Sequence, residues 1–128
     1  MDQKLSQFMN QKYLNLETFR KTGVAVKTPV WFVLAMPDGK FYVRTAGASA
    51  KVKRIHNNSQ VNIMPCGEAG EPLGDWVPAR AREVTDSATA DFVRGLLVEK
   101  YGDMVAYFEE QTKARGFEYT VLLLEVGD

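Results

Sequence analysis

The 128-residue chain has a single cysteine, Cys66, and a single histidine, His56. An intramolecular disulfide is excluded. So is a structural zinc site, which takes four Cys or His ligands. A lone thiol fits a reducing compartment. Neither sign of charge is in surplus, because 16 Lys and Arg balance 16 Asp and Glu. That balance removes bulk attraction to nucleic acid or to an anionic membrane. It leaves only a local basic cluster at Lys51, Lys53 and Arg54. No stretch approaches the roughly 20 apolar residues of a membrane helix, and residues 1–11 carry no apolar run of the signal-peptide kind. The expected setting is the cytoplasm, with neither a nucleic acid nor a membrane as partner.

What remains is an ordinary globular composition. With 45% hydrophobic and 25% charged residues, a chain of this length can bury one core, so residues 1–128 are expected to form a single domain. Leu5, Phe8 and Met9 recur at helical spacing and predict a short helix with that side packed inward. Residues 13–19 alternate as a strand, and Lys21-Thr22-Gly23 reads as a turn. Residues 24–36 and 40–45 flank Pro37-Asp38-Gly39 and predict a hairpin. Pro29 cannot donate a ladder hydrogen bond, which puts its position at an edge, a bulge or a bend. Residues 50–57 read as a short helix with Ser49 as N-cap, followed by a strand at 60–65. Residues 67–74 are a glycine-rich loop, and 75–84 alternate with Pro78, Arg80 and Arg82 on one side. Asp86-Ser87 starts a helix over 88–101 whose Phe92, Leu96, Leu97 and Tyr101 face inward. A second helix over 104–114 turns in Val105, Phe108 and Thr112, and residues 117–126 form a last apolar strand. Mostly antiparallel strands with few helices indicate a mainly β, α+β fold.

The segment richest in chemistry runs from Thr45 through Gly47, Ser49 and Lys51 to Arg54. It leaves a strand, turns through small residues and opens a helix. The first N–H groups of a helix have no internal partner and lie at the positive end of its dipole, so a phosphate fits there. Thr45 and Ser49 add hydroxyls and Lys51 adds a charge. On spacing alone, the same pattern also describes a capped, solvated helix. The glycine pattern of a P-loop is absent. Arg44 is either a solvated strand residue or a ligand contact, and Trp31 and Trp76 are either packed or ring-stacking. Cys66 is expected to be a buried, inert thiol and His56 a surface helix residue. No nucleophile–base pair can be read, and no catalytic side chain is named.

Thr45-x-x-x-Ser49-x-Lys51 at a strand end, with Lys53-Arg54-Ile55 after it, resembles the pyridoxamine 5′-phosphate oxidase superfamily. Thr28-Pro29-Val30-Trp31-Phe32-Val33, followed by Asp38-Gly39 and Tyr42-Val43-Arg44-Thr45, resembles it too, and in particular its deazaflavin (F420-type) branch. The resemblance implies a six-stranded antiparallel split β-barrel of the FMN-binding type with peripheral helices. It implies a homodimer with cofactor in clefts between the subunits, and a cofactor that is FMN or, alternatively, deazaflavin F420. Thr45, Ser49 and Lys51 would hold the cofactor phosphate, with backbone from Ala50 and with Lys53 and Arg54 nearby. Thr28, Pro29, Val30 and Trp31 would run beside the ring, and Trp76 and Val77 would reach its edge. The implied activity is hydride transfer between bound cofactor and a small substrate. The alternative is a non-catalytic flavin, deazaflavin or haem carrier on the same barrel. Ala50 stands where the vitamin-pathway oxidases carry arginine, and no tryptophan follows Trp76 to make their C-terminal motif. The likeness therefore stops short of pyridoxamine-phosphate oxidation itself.

Overall fold

The computed structural model describes residues 3–127. After a short helix α1 (Gln3–Ser6) come strands β1 (Tyr13–Phe19), β2 (Ala25–Trp31), β3 (Val33–Ala35) and β4 (Lys40–Ala46). Helix α2 (Ala50–Asn57) leads to β5 (Gln60–Cys66) and β6 (Val77–Val84). Helices α3 (Ser87–Tyr101) and α4 (Met104–Ala114) precede β7 (Tyr119–Val126). The strands make one antiparallel sheet in the order β2-β1-β5-β6-β7-β4-β3. Its two edge strands, β2 and β3, are consecutive in sequence and separated only by Phe32. A sheet whose opposite edges are joined by one residue has to curl, and this one wraps as a split barrel.

The strand expected over 24–36 is thus two strands, and the count rises from the expected six to seven. The break has a local cause. Phe32 is fully buried. Its N–H donates to the Tyr101 hydroxyl at 3.0 Å, and its carbonyl accepts from that hydroxyl at 2.9 Å and from Lys100 Nζ at 2.9 Å. Helix α3, rather than a neighbouring strand, satisfies the residue at which the chain leaves one edge for the other. Pro29 lies on β2, which has a strand on one side only, so its missing N–H breaks no ladder.

Two apolar clusters sit on opposite faces of the curled sheet. Leu14, Leu16, Phe41, Val43, Ile63 and Leu122 fill the inside, and Val52 and Ile55 of α2 close one end of it. Phe8 presses its ring edge-on against Phe32 and Phe41. Met9, expected inward with it, is exposed, because the helix ends at Ser6 and the following turn rotates it out. The second cluster lies between the outer face and α3–α4, with Val33, Val93, Leu97, Val105 and Val121 at its centre. Phe92 was expected on that inner side, yet it is 51% exposed. The buried stripe of α3 runs through Val93 and the expected Leu97, with the expected Leu96 and Tyr101 partly buried beside it, and Phe92 is left to meet the Tyr42 ring edge-on. Asp86 caps α3 by accepting from the Thr89 N–H at 2.9 Å. Helix α4 buries only Val105 fully; Phe108, expected inward, is partly exposed. Along β6, Val77, Ala79 and Ala81 point inward while Pro78, Arg80 and Arg82 face out, the polar side read from their alternation.

Candidate functional site

Strand β4 gives the site its two halves. Successive residues on a strand point to opposite faces, so Arg44 and Thr45 look to different sides of the same strand end. On the side of Thr45, the chain turns through Gly47 into α2. Ser49 holds the N-cap position with φ −67° and ψ 154°, but its hydroxyl makes no cap bond. Among the described residues, Ser49 Oγ is the buried side-chain oxygen left without a partner. Lys51, half-buried in the first turn of α2, donates from Nζ to Thr45 Oγ1 at 3.3 Å. Burial, and then the nearby Arg54 charge, push its ammonium below the usual lysine range. Among the described residues no carboxylate pairs with it. An orphaned hydroxyl, an ammonium without a carboxylate partner and the N–H groups of a helix start make a donor set whose chemistry suits an anion.

The rest of the basic cluster points elsewhere. Arg54 Nε donates to Thr18 Oγ1 on β1 at 2.6 Å, and Lys53 is exposed. Ala50 is exposed at the first position of α2, where only its backbone can serve. Gly47 is not there to avoid a clash, since a Cβ would meet nothing closer than Glu118 O at 3.7 Å.

On the side of Arg44 lies a cleft of about 320 Å³. Extending the β3–β4 register sets Trp31 beside Arg44, and both line this cleft with Val30, Tyr13 and Tyr119. Helices α3 and α4 add Leu97, Phe108 and Thr112. Trp31 stacks on Tyr101 with centroids 4.1 Å apart and planes within 7°, and takes the edge of Phe108 at 5.2 Å. The Arg44 guanidinium lies 4.1 Å over the Tyr119 ring and donates to Glu109 Oε2 at 2.7 Å. Arg94 grips the same carboxylate through both oxygens, at 2.9 Å each. Hydrogen bonds from Arg94, then from Arg44, hold the Glu109 carboxyl down at about 2 despite partial burial. A second hollow of about 270 Å³ shares Arg44 and Tyr119 and reaches Arg94 and Thr120.

Several residues named from the sequence lie outside both halves. Thr28 and Pro29 sit upstream on β2, opposite Leu16 and Asn15. Val77 is sealed in the inner core. Trp76 is 40% exposed, next to Asp75, whose backbone is held from both ends by the Gln7 amide. Conversely, Tyr13, Leu97, Phe108, Thr112 and Tyr119 line the cleft without having been singled out as ligand contacts. His56 bonds Glu83 at 2.8 Å on the exposed side of α2. Cys66 is buried, and burial with the Glu71 charge pushes its thiol up to about 11, where it stays protonated and unreactive. No three His, Cys, Asp or Glu converge as metal ligands among the described residues. No helix there is long and apolar enough to cross a membrane.

Comparison with known proteins gives the same fold. The family profile described as pyridoxamine 5′-phosphate oxidase matches residues 1–127. Among solved structures, the chain is similar to HutZ, a heme storage protein from Vibrio cholerae, at TM-score 0.71 and 18% identity, over 96% of this chain and 87% of that one. It is similar to a putative pyridoxamine 5′-phosphate oxidase from Listeria innocua at TM-score 0.68 and 9% identity, over 99% and 93%. It is also similar to a FAD-binding protein from Mesorhizobium loti at TM-score 0.65 and 12% identity, over 96% and 84%. At these identities the likeness is one of fold. No curated protein matches significantly.

Proposed function

Because the chain belongs to the pyridoxamine 5′-phosphate oxidase family, we propose that it binds a phosphorylated flavin-type cofactor, FMN in first place and deazaflavin F420 as the alternative, and uses it for oxidoreduction of a small substrate. The observation that carries this reading is the buried, unpartnered Ser49 Oγ at the start of α2, beside Lys51 and Thr45. That donor set fits a phosphate. The walls of Trp31, Val30 and Phe108 fit a flat ring, and Arg44 at their margin suits the polar edge of one. Arg44 and Thr45 are neighbours on β4, so one ligand could reach both only by passing round the edge of that strand, through the split between β2 and β4.

A bound flavin supplies the hydride chemistry. The chain contributes binding, orientation and exclusion of water: Ser49, Thr45 and Lys51 hold the anion, and the aromatic walls set the ring. Ligand pockets span roughly 300–1,000 Å³, and the cleft of about 320 Å³ lies at the low end. A homodimer would supply the missing wall, and the exposed Phe92, Tyr107 and Phe117 near the helices offer apolar surface for it. We place the protein in the cytoplasm, on the strength of its lone reduced thiol.

The haem-carrier reading has less support. Haem iron takes His, Cys, Met or Tyr as axial ligand. The sole histidine is bound to Glu83 outside the cleft, and the cleft offers only the Tyr13 and Tyr119 phenols.

The test is separate titration with FMN, F420 and hemin, followed by ring fluorescence or the Soret band. Tight binding of FMN or F420 fixes the cofactor class, and reduction by a nicotinamide donor with transfer to an acceptor separates an enzyme from a carrier. Binding of hemin alone would overturn the redox reading.

A further inference from the structure

Helix α4 is built unlike the other long helix. It runs between Gly102, at φ 66°, and Gly116, at φ 77°, and a Cβ at either glycine would meet nothing within 4 Å. Both joints therefore sit in open space and in a conformation that glycine adopts without strain. Between them the helix buries one side chain, Val105. Its remaining contacts with the barrel fall on residues that line the cleft: Phe108 on the Trp31 ring, Glu109 on Arg44, and Thr112 bonded to the Tyr119 hydroxyl at 2.6 Å. Few buried apolar contacts and hinge-like ends characterise elements that open below the global unfolding free energy.

We propose that α4 is a hinged lid over the cleft, latched by Glu109, and that opening it frees Arg44 and Arg94 for an anionic group of the incoming ligand. The latch is a carboxylate held by two guanidiniums from different elements, β4 and α3. Arg44 is only 11% exposed and its guanidinium is engaged by Glu109, so in the closed state an incoming anion has to displace that carboxylate. The lid and the ligand compete for the same donors. That competition selects for a ligand that is flat, to replace Phe108 against Trp31, and anionic, to replace Glu109 on Arg44. The sequence of events is closed lid, release of Glu109, entry of the ligand, and closure with Phe108 on the exposed ring face. The ligand part of this rests on the cofactor reading above; the lid does not.

The experiment uses the full chain. Amide hydrogen exchange over residues 104–114 is measured in the unaltered protein, in Glu109→Gln and in Arg94→Gln, with α3 as internal reference. Acrylamide quenching of Trp31 is followed in a Trp76→Phe background. The expected result is at least tenfold faster exchange of α4 in both latch variants, with α3 unchanged and Trp31 more accessible. Arg94 is half-exposed, so its variant remains informative if Glu109→Gln, which strands Arg44, fails to fold. Exchange of α4 that stays at the unaltered rate in Arg94→Gln, or that rises only together with α3, overturns the lid. FMN is then added by stopped flow. Association several-fold faster in Glu109→Gln, which keeps both arginines, supports competition for them. An unchanged association rate with an opened α4 overturns the competition, and an opened α4 with no FMN binding at all overturns the cofactor reading while leaving the lid standing.

Discussion

The seam of the barrel rests on one hydroxyl. At Phe32 the chain leaves the β1 side of the sheet and joins β4, so its N–H and C=O have no strand to pair with. The Tyr101 oxygen accepts from that N–H at 3.0 Å, and its proton goes to Phe32 O at 2.9 Å or to Lys12 O at 2.7 Å. Burial raises the phenol well above its ordinary pKa, so it stays protonated at alkaline pH. Tyr101→Phe removes this atom and little else. The ring keeps its stack on Trp31, and the Phe32 carbonyl keeps Lys100 Nζ at 2.9 Å. The change therefore isolates one buried donor, the Phe32 N–H, left with no acceptor. Such an orphan costs about 1–3 kcal/mol. Creating a cavity as well, in Tyr101→Ala, should cost more, by analogy with the ~3–5 kcal/mol of large aromatic truncations. Urea denaturation followed by circular dichroism reads both, and an unchanged slope shows that the change lies in stability. A loss under about 0.5 kcal/mol in Tyr101→Phe would mean that water or a shifted Phe32 satisfies the N–H. The claim that α3 clamps the seam would then fall.

Lys51→Ala should weaken FMN binding by about 1–3 kcal/mol, the worth of a charge-assisted hydrogen bond; unchanged affinity in a fluorescence titration would remove the assigned phosphate site. The Glu109 carboxyl sits at about 2 in the fold, below its ordinary value of 4.5. The folded state binds its proton less readily than the unfolded chain. Its contribution is therefore complete above about pH 4.5 and lost as pH falls towards 2. Denaturation series should show Glu109→Gln less stable than the unaltered protein at pH 6, with the gap closing towards pH 2. Leu97→Ala, in the heart of the outer cluster, should cost about 2–5 kcal/mol. Phe92→Ala should cost under about 1 kcal/mol, since surface changes stay small; a loss as large as that of Leu97→Ala would mean that Phe92 faces the core after all.

Local features of the fold were legible because local chemistry decides them. Helix α2 spans residues 50–57 with Ser49 at its N-cap position, as read from the sequence, though the Ser49 hydroxyl makes no cap bond, and Asp86 caps α3. Strand β6 shows its alternation plainly, because one face meets the core and the other meets water. The division at Phe32 was not legible. Residues 24–36 read as one β-rich run, and nothing within them records that the partner changes from β1 to β4. That information sits some 69 residues away, in the Tyr101 hydroxyl. Phe92 misled for a related reason: on a helix that is only part-covered, hydrophobic type does not fix the buried stripe, and it is Val93 that packs with Val33, Val105 and Val121.

The candidate site divides along the same line. Thr45, Ser49 and Lys51 fall within seven residues, so a loop and one helical turn assemble them, and their nearness could be read from spacing even where their role could not. The cleft is assembled by wrapping. Tyr13, Trp31, Arg44, Phe108 and Tyr119 come from five elements, and only barrel closure makes Trp31 and Arg44 neighbours. Read singly, those two were left open between packing or solvation and ligand contact; the family resemblance marked them, and it did not supply the facing wall. Helical spacing gave α4 an amphipathic reason to dock, through Val105, Phe108 and Thr112. In the fold only the first of these is fully buried, and Glu109, which the pattern did not mark, bonds both Arg44 and Arg94. Under the proposed lid, α4 stays closed while its arginines have no better anion to bind. Arg44 borders both the cleft and the second hollow and Arg94 borders the second, so in the proposed lid the donors that hold the helix down are the ones a ligand would have to take over.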